Sequence, residues 1–403
     1  MADNTSLSAA KAAKNDEFYT QYSDIEAEMN AYIEYNHDVF RDKTILLPCD
    51  DPEWSNFTKY FAANFKYLGL KKLISTSYAK GAGNKQLTLF EQESPLFDAA
   101  KHDTHGKLFT LTRERGDADE VRFDGYLNGD GDFRSEEVRA LRDEADVIIT
   151  NPPFSMFREF LAWIIGGRKQ FVILGNMNAI TYKEVFPLLQ HNEVWLGYSI
   201  HSGDRKFNVP DNYPLEAAGC GIDDDGRKYI RVKGVRWFTN IDHGGRHEWL
   251  LLDTMAHNLK FNRKLKKKFE ADFGKLEYPT YDNYDAIEVP FTECIPSDYD
   301  GVMGVPITFM DKYNPEQFKI LGLLQSSTEE QAGIPILRTY NDFREMRQDM
   351  TFTGASGAKA NGNPVVKGKS VSGNFLYNES TGEYCHSVYA RVVIQFIRGD
   401  SRA

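Results

Sequence analysis

The chain has 403 residues, room for two domains at roughly 100–200 residues each, and its 41% apolar and 27% charged residues exclude wholesale disorder. A net charge of −11, from 59 acids against 48 bases, excludes a protein that coats nucleic acid by bulk electrostatics, but leaves room for an enzyme with one basic cleft. No apolar run approaches the ~18–20 residues of a membrane span, the polar start Met1–Lys14 lacks a secretory core, and four scattered cysteines without a C-x-x-C pair argue against a zinc ribbon or a disulfide framework. A reducing cytoplasm is the expected compartment.

After a polar leader and the segment NDEFYTQY at 15–22, the periodicity predicts a helix from Asp24 to about Tyr35. Thr44–Leu47 reads as a buried strand ending at Pro48-Cys49-Asp50-Asp51-Pro52. Phe57, Tyr60, Phe61 and Phe65 lie at helical spacing within 55–67, and Lys72–Thr76 is the next strand. Strand, helix, strand is the pattern of a parallel α/β sheet. Residues 79–127 interrupt it and read as an insertion, with a hairpin from Lys107–Thr112 and Glu120–Phe123 around Arg115-Gly116-Asp117. The rhythm resumes with a helix from Ser135, the strand Asp146–Thr150, Asn151-Pro152-Pro153-Phe154, and a helix from Ser155 stopped by Gly166-Gly167. Phe171–Leu174 is a strand, Thr181–Gln190 a helix, and Glu193–Gly197 and Val235–Asn240 are further strands. From about 246 the rhythm is lost, although Asn374–Tyr377 and Tyr389–Ile397 keep strand character. The expected division is 1–245 and an irregular α+β domain at 246–403. The run Lys260–Lys268 (KFNRKLKKK) reads by itself as a solvated helix face, with a local site for phosphate as the alternative.

Asn151-Pro152-Pro153-Phe154 directly follows an apolar strand, and open α/β sheets bind ligands at the carboxyl ends of their strands. The tetrapeptide suits methylation of a conjugated amino group. The lone pair of adenine N6 is delocalised into the ring and is a poor nucleophile. A carboxamide oxygen and a neighbouring carbonyl, held rigid by proline, accept its two N–H bonds and free that lone pair. An aromatic fourth residue stacks on an extruded base. A methyl donor implies S-adenosylmethionine: Asp51 after the first strand suits the methionyl ammonium, Asp132 the adenine amino group, and Phe133 the adenine ring. The bland alternatives are an Asn-Pro turn, an N-cap at Asp51 and a tight turn at 129–132. His243, His247 and Glu248 do not form H-E-x-x-H and read as solvated or capping groups, so catalysis is expected to need no metal.

The segments NDEFYTQY at 15–22, CDDPEWSNF at 49–57, GDGDFRS at 129–135, TNPPFSMF at 150–157, ITYKEVF at 180–186, YDNYDAI at 281–287 and GVMGVPITFMDKYNPEQF at 301–318 resemble the EcoRI-type adenine-specific DNA methyltransferases. The resemblance covers about 15–320. It implies a Rossmann-like, S-adenosylmethionine-dependent α/β sheet followed by a target-recognition domain. It also implies methyl transfer to adenine N6 in duplex DNA, by a monomer acting as a restriction-modification partner or an orphan enzyme. Asn151, Pro152, Pro153 and Phe154 then fall on the catalytic motif. Phe18, Tyr19 and Thr20 fall on the N-terminal cofactor segment, Asp50, Asp51 and Pro52 on the turn after the first strand, and Asp132 and Phe133 on the adenine-binding pair. Two departures stand out: Ser55 and Asn56 replace the glycine-rich turn, and no acid ends the second strand at Ser75-Thr76-Ser77, which leaves the ribose-binding group unassigned. An N-methyltransferase acting on RNA or protein, and a non-catalytic DNA-binding relative, are the competing readings.

Overall fold

A computed structural model describes residues 18–51, 55–79, 94–113, 122–209, 215 and 219–397. The chain divides into two compact units, one running to Ala179 and resuming at Val194–Gly244, the other made of Ile180–Glu193 and the residues from Gly245 onward. Residues 180–193, expected within the first domain, thus group with the second unit.

In the first unit the elements run β1 (Tyr19–Thr20), α1 (Tyr22–Tyr35), β2 (Thr44–Leu47), α2 (Asn56–Ala63), β3 (Lys72–Thr76), β4 (Lys107–Thr112), β5 (Arg122–Tyr126), α3 (Glu136–Glu144), β6 (Val147–Thr150), α4 (Phe157–Gly166) and β7 (Gln170–Asn176). After the excursion come β8 (Trp195–Leu196), β9 (Asp204–Asn208), β10 (Cys220–Ile222), β11 (Lys228–Lys233) and β12 (Val235–Thr239). Eight strands form one mixed sheet in the order β5-β4-β3-β2-β6-β7-β12-β8. Its centre, β3-β2-β6-β7, is parallel. Ile45, Leu46, Val147, Ile148, Phe171 and Val172 are fully buried, as strands covered on both faces require. Ser55 caps α2 by accepting from the Phe57 and Thr58 N–H groups, and Ser135 caps α3 by accepting from Val138 N–H.

Three details differ from the sequence reading. The 107–126 hairpin is no separate insertion: β4 pairs antiparallel with β3 and carries β5 at the sheet edge. Its turn, at 115–117, lies outside the described residues. β12 runs antiparallel to β7, a direction that an apolar run does not encode. A second sheet, β1-β9-β11-β10, comes from a stretch without a clear pattern. Glu28, fully buried in the apolar stripe of α1, accepts from Tyr32 Oη (2.6 Å), Tyr198 N (2.9 Å), Ser199 N (2.7 Å) and Ser199 Oγ (2.6 Å). It thereby pins the turn that leads into β9.

The second unit is more regular than expected. It contains α5 (Met255–Phe261) and α6 (Arg263–Phe273), then β13 (Ile287–Glu288), β14 (Met303–Pro306), β15 (Phe318–Leu324), β16 (Arg344–Met346), β17 (Phe352–Ser356), β18 (Val365–Lys367), β19 (Phe375–Asn378), β20 (Glu383–Ser387) and β21 (Arg391–Phe396). The strands form two sheets, β13-β14-β21-β15 and β17-β16-β19-β20-β18. Of the helix expected at 181–190, only Phe186–Gln190 is α-helical, and Gln190 Nε2 donates to the Leu321 carbonyl on β15 (2.7 Å). The buried pair Arg391–Glu288 (2.5 Å) is completed by Tyr281 Oη donating to Glu288 (2.5 Å). Among the described residues, no helix is long and apolar enough to cross a membrane.

Candidate active site

The carboxyl ends of β2, β3 and β6 are tied together through Asp50. Its buried carboxylate accepts from Thr150 Oγ1 (2.5 Å) and Ser55 Oγ (2.7 Å), its N–H donates to the Thr76 carbonyl (3.0 Å), and its carbonyl accepts from Ser75 Oγ (2.6 Å). Both carboxylate oxygens thus brace protein hydroxyls, one of them on the residue immediately before Asn151.

The Asn151 carboxamide is oriented from one side only. Nδ2 donates to the Phe18 carbonyl (2.7 Å), whereas Oδ1 is shielded from water and has no hydrogen-bond partner. The strand that receives Nδ2 is itself fixed: Tyr19 pairs with Asn208 on β9, Gln21 Nε2 donates to Asn208 Oδ1 (2.7 Å), and Asn56 Nδ2 donates to the Thr20 carbonyl (2.7 Å). Residues 18 and 20 present their carbonyls away from β9, so two carboxamides grip alternate carbonyls of one strand. Asn56, which stands in the turn where glycine was expected, is one of them. Thr20 Oγ1 is a second buried oxygen without a partner.

Pro152 is buried, and the Pro153 carbonyl accepts from Met156 N–H (2.9 Å) in the short 3-10 turn that opens α4. Phe154 is half-buried, its ring 5.9 Å from that of Phe18 and 6.3 Å from that of Phe207, with Phe18 and Phe207 also 5.9 Å apart. The sequence marks no role for Phe207, Thr150 or Lys107, and it places Asn56 only in the turn after the first strand. Phe207 sits in the polar stretch DRKFN, and only its pairing with Thr20 brings it to Phe154.

Asp51 lies beyond β2 with Lys107 Nζ 3.6 Å from its Oδ2. Pro52 lies outside the described residues. Asp132 is held by Arg134: Nη2 reaches Oδ2 (2.6 Å), while Nε (2.9 Å) and the backbone N–H (2.8 Å) reach Oδ1. These bonds keep the Asp132 carboxyl below its ordinary value. The loop abuts β3 because Gly131, at φ +84°, has no Cβ; one built there would run into the Ser77 carbonyl oxygen. Phe133 is buried against Phe160 (5.0 Å) and Trp163 (5.7 Å), so much of its ring is committed to packing on α4.

Two carboxylates, Asp51 beside Lys107 and Asp132 beside Arg134, and two buried oxygens without hydrogen-bond partners, Thr20 Oγ1 and Asn151 Oδ1, are the polar groups that this part of the fold offers to a ligand. His243 is buried rather than solvated, with Nε2 3.0 Å from the Leu196 carbonyl, and His247 pairs with Glu316 (3.4 Å) in the other unit.

An α/β sheet with Asn-Pro-Pro-Phe at the carboxyl end of a central strand is a layout suited to methyl transfer onto an amino group, and comparison with known proteins gives the class directly. Residues 6–395 match the family described as adenine-specific methyltransferase EcoRI. The chain is 42% identical over 335 residues to the Type II methyltransferase M.EcoRI of Escherichia coli, covering 83% of this chain and 93% of that protein. It is 32% identical over 323 residues to M.MpnI of Mycoplasma pneumoniae (78% and 84%) and 34% identical over 317 residues to M.MgeORF184P of Mycoplasma genitalium (78% and 85%), both also Type II methyltransferases. No solved structure matches the chain. The chain belongs to the EcoRI family of adenine-specific methyltransferases, and it is an enzyme, a DNA methyltransferase.

Proposed function

We propose that this enzyme transfers a methyl group from S-adenosylmethionine to N6 of an adenine extruded from duplex DNA at a specific sequence. The observation that carries the reading is the Asn151 carboxamide, whose Nδ2 is fixed by the Phe18 carbonyl while its buried Oδ1 has no partner. An open buried acceptor costs about 1–3 kcal/mol, a cost recovered when a ligand donates to it. Asn151 Oδ1 accepts one N6–H. The Pro152 carbonyl accepts the other, since the Pro153 carbonyl already receives Met156 N–H. The two oxygens draw N6 toward tetrahedral geometry and stabilise the positive charge that develops on it. Phe154 offers a ring face to the base.

The bound cofactor supplies an electrophilic methyl group. Asp51 holds its methionyl ammonium, Asp132 accepts from its adenine amino group, Phe133 borders that ring, and Phe18, Tyr19 and Thr20 line the methionyl side. Asp50 acts one step back, by bracing Thr150 and Ser55. In this reading the first unit is a Rossmann-like cofactor domain and the second the target-recognition domain. The enzyme works as a cytoplasmic monomer, paired with a cognate restriction endonuclease or as an orphan.

Asn151→Ala tests the chemistry. Losing one oriented acceptor is expected to lower kcat by about 10²–10³. Binding of S-adenosylhomocysteine and of duplex DNA, followed by calorimetry and fluorescence anisotropy, is expected to persist. Near-normal turnover by the variant would overturn the mechanism.

A further inference from the structure

Ser77, Tyr78 and Ala79, the described residues that follow β3, include no acid, and Lys107 is bonded to the first of them. β4 runs antiparallel to β3, so its first residue, Lys107, lies at the carboxyl edge of the parallel strands, where open α/β sheets bind ligands. Its backbone is clamped to Ser77: the Lys107 N–H donates to Ser77 Oγ (3.1 Å), and the Lys107 carbonyl accepts from Ser77 N–H (3.2 Å). From there the side chain passes the end of β3 to reach Asp51 beyond β2, with Nζ 3.6 Å from Oδ2. Lysine is rarely buried unless paired, yet this side chain is 1% exposed. Asp51 is the more exposed member of the pair, at 17% of its side chain.

We propose that Lys107 is a positioning residue for the cofactor, orienting the Asp51 carboxylate through Oδ2 to receive the methionyl ammonium of S-adenosylmethionine. The proposal rests on the reading of Asp51 as the acid for that ammonium. It departs from a general structural role in one respect: only ligands that carry the amino-acid head should sense Lys107.

The test uses the full chain and two ligands, S-adenosylhomocysteine, which has the head, and 5′-methylthioadenosine, which lacks it. Binding is measured by calorimetry. Lys107→Met is expected to weaken S-adenosylhomocysteine on the order of tenfold, as loss of one partner of an ion pair, and to leave methylthioadenosine within about twofold. In an Asp51→Asn background, Lys107→Met is expected to add nothing further, because the two act as one unit. Lys107→Gln serves where the methionine variant does not fold, and retained methylthioadenosine binding reports an intact pocket. Equal loss of both ligands, or loss of methylthioadenosine by both variants, makes Lys107 structural and overturns the proposal. An effect of Asp51→Asn without one of Lys107→Met overturns it while sparing the reading of Asp51. No effect of Asp51→Asn overturns that reading and the proposal with it.

Discussion

Asn151 is aimed by groups that do no chemistry themselves, and Thr150, one residue earlier, shows how. Its hydroxyl donates to buried Asp50, so Thr150→Val keeps the shape while leaving one carboxylate oxygen without its donor. The expected loss is about 1–3 kcal/mol of unfolding free energy, read from the urea midpoint at constant slope. Asp132 makes a pH-dependent statement. Hydrogen bonds from Arg134 hold its carboxyl below the ordinary 3.8. A group depressed in the folded state contributes stability that is present above its unfolded pKa and lost as pH falls through the folded one. The 129–134 loop is therefore expected to hold from neutral pH down to below 3.8. Arg134→Ala should return the titration toward the ordinary value, visible as a higher onset of affinity loss for S-adenosylhomocysteine on acidification.

Elements differ in how much of themselves they write into the sequence. The central strands β2, β3, β6 and β7 are legible as apolar runs because burial on both faces demands them. The helix starts at Ser55 and Ser135 are legible from the capping serines. The strands β9 (DRKFN) and β11 (KYIRVK) are not, since a short, half-solvated sheet tolerates charge at alternate positions. The tetrapeptide Asn151-Pro152-Pro153-Phe154 is legible from its place after a strand. Its supports are not, because Asn56, Phe207 and Lys107 acquire meaning only when distant segments meet. The ring triad of Phe18, Phe154 and Phe207 follows from that meeting. Phe207→Ala empties a fully buried site and is expected to cost about 3–5 kcal/mol. Phe154→Tyr keeps the π-face, so 2-aminopurine at the target is expected to brighten on binding as it does with the native enzyme, whereas Phe154→Ala is expected to reduce the rise.

At the scale of the whole molecule, an excess of acids means that DNA must be met by local positive charge. The basic run is split by Asn262, which ends α5 and caps α6. Leu265 and Phe269 face inward and the lysines outward, with Lys264 near Glu293 (3.7 Å) and Lys268 near Asp272 (2.6 Å). If this face meets phosphate, changing Lys264, Lys266, Lys267 and Lys268 to Ala should make the log K–log salt slope shallower by about 0.9 for each phosphate no longer neutralised, on every sequence alike. An unchanged slope assigns the run to a solvated helix face. The thiols provide an independent check on packing. Burial pushes Cys294 and Cys385 up to about 12, whereas Cys49 and Cys220 are only half-buried. Ellman's reagent at neutral pH is expected to titrate Cys49 and Cys220 in the folded protein, and Cys294 and Cys385 only after denaturation.

The excursion of residues 180–193 sets the order in which the protein can be completed. On the ribosome this segment emerges long before β15, whose Leu321 carbonyl receives Gln190 Nε2, while β8 and β12, which finish the first sheet, are made only after it. Val185, Leu189 and Phe186 are buried in the finished protein and must wait uncovered in the nascent chain. A gene cut after the codon for Gly244 would encode a complete first sheet carrying an orphaned apolar peg. The remainder would encode a second unit with an empty slot. Neither half is a clean module, so exchange of the second unit between relatives by grafting is expected to give folded protein only when residues 180–193 travel with it.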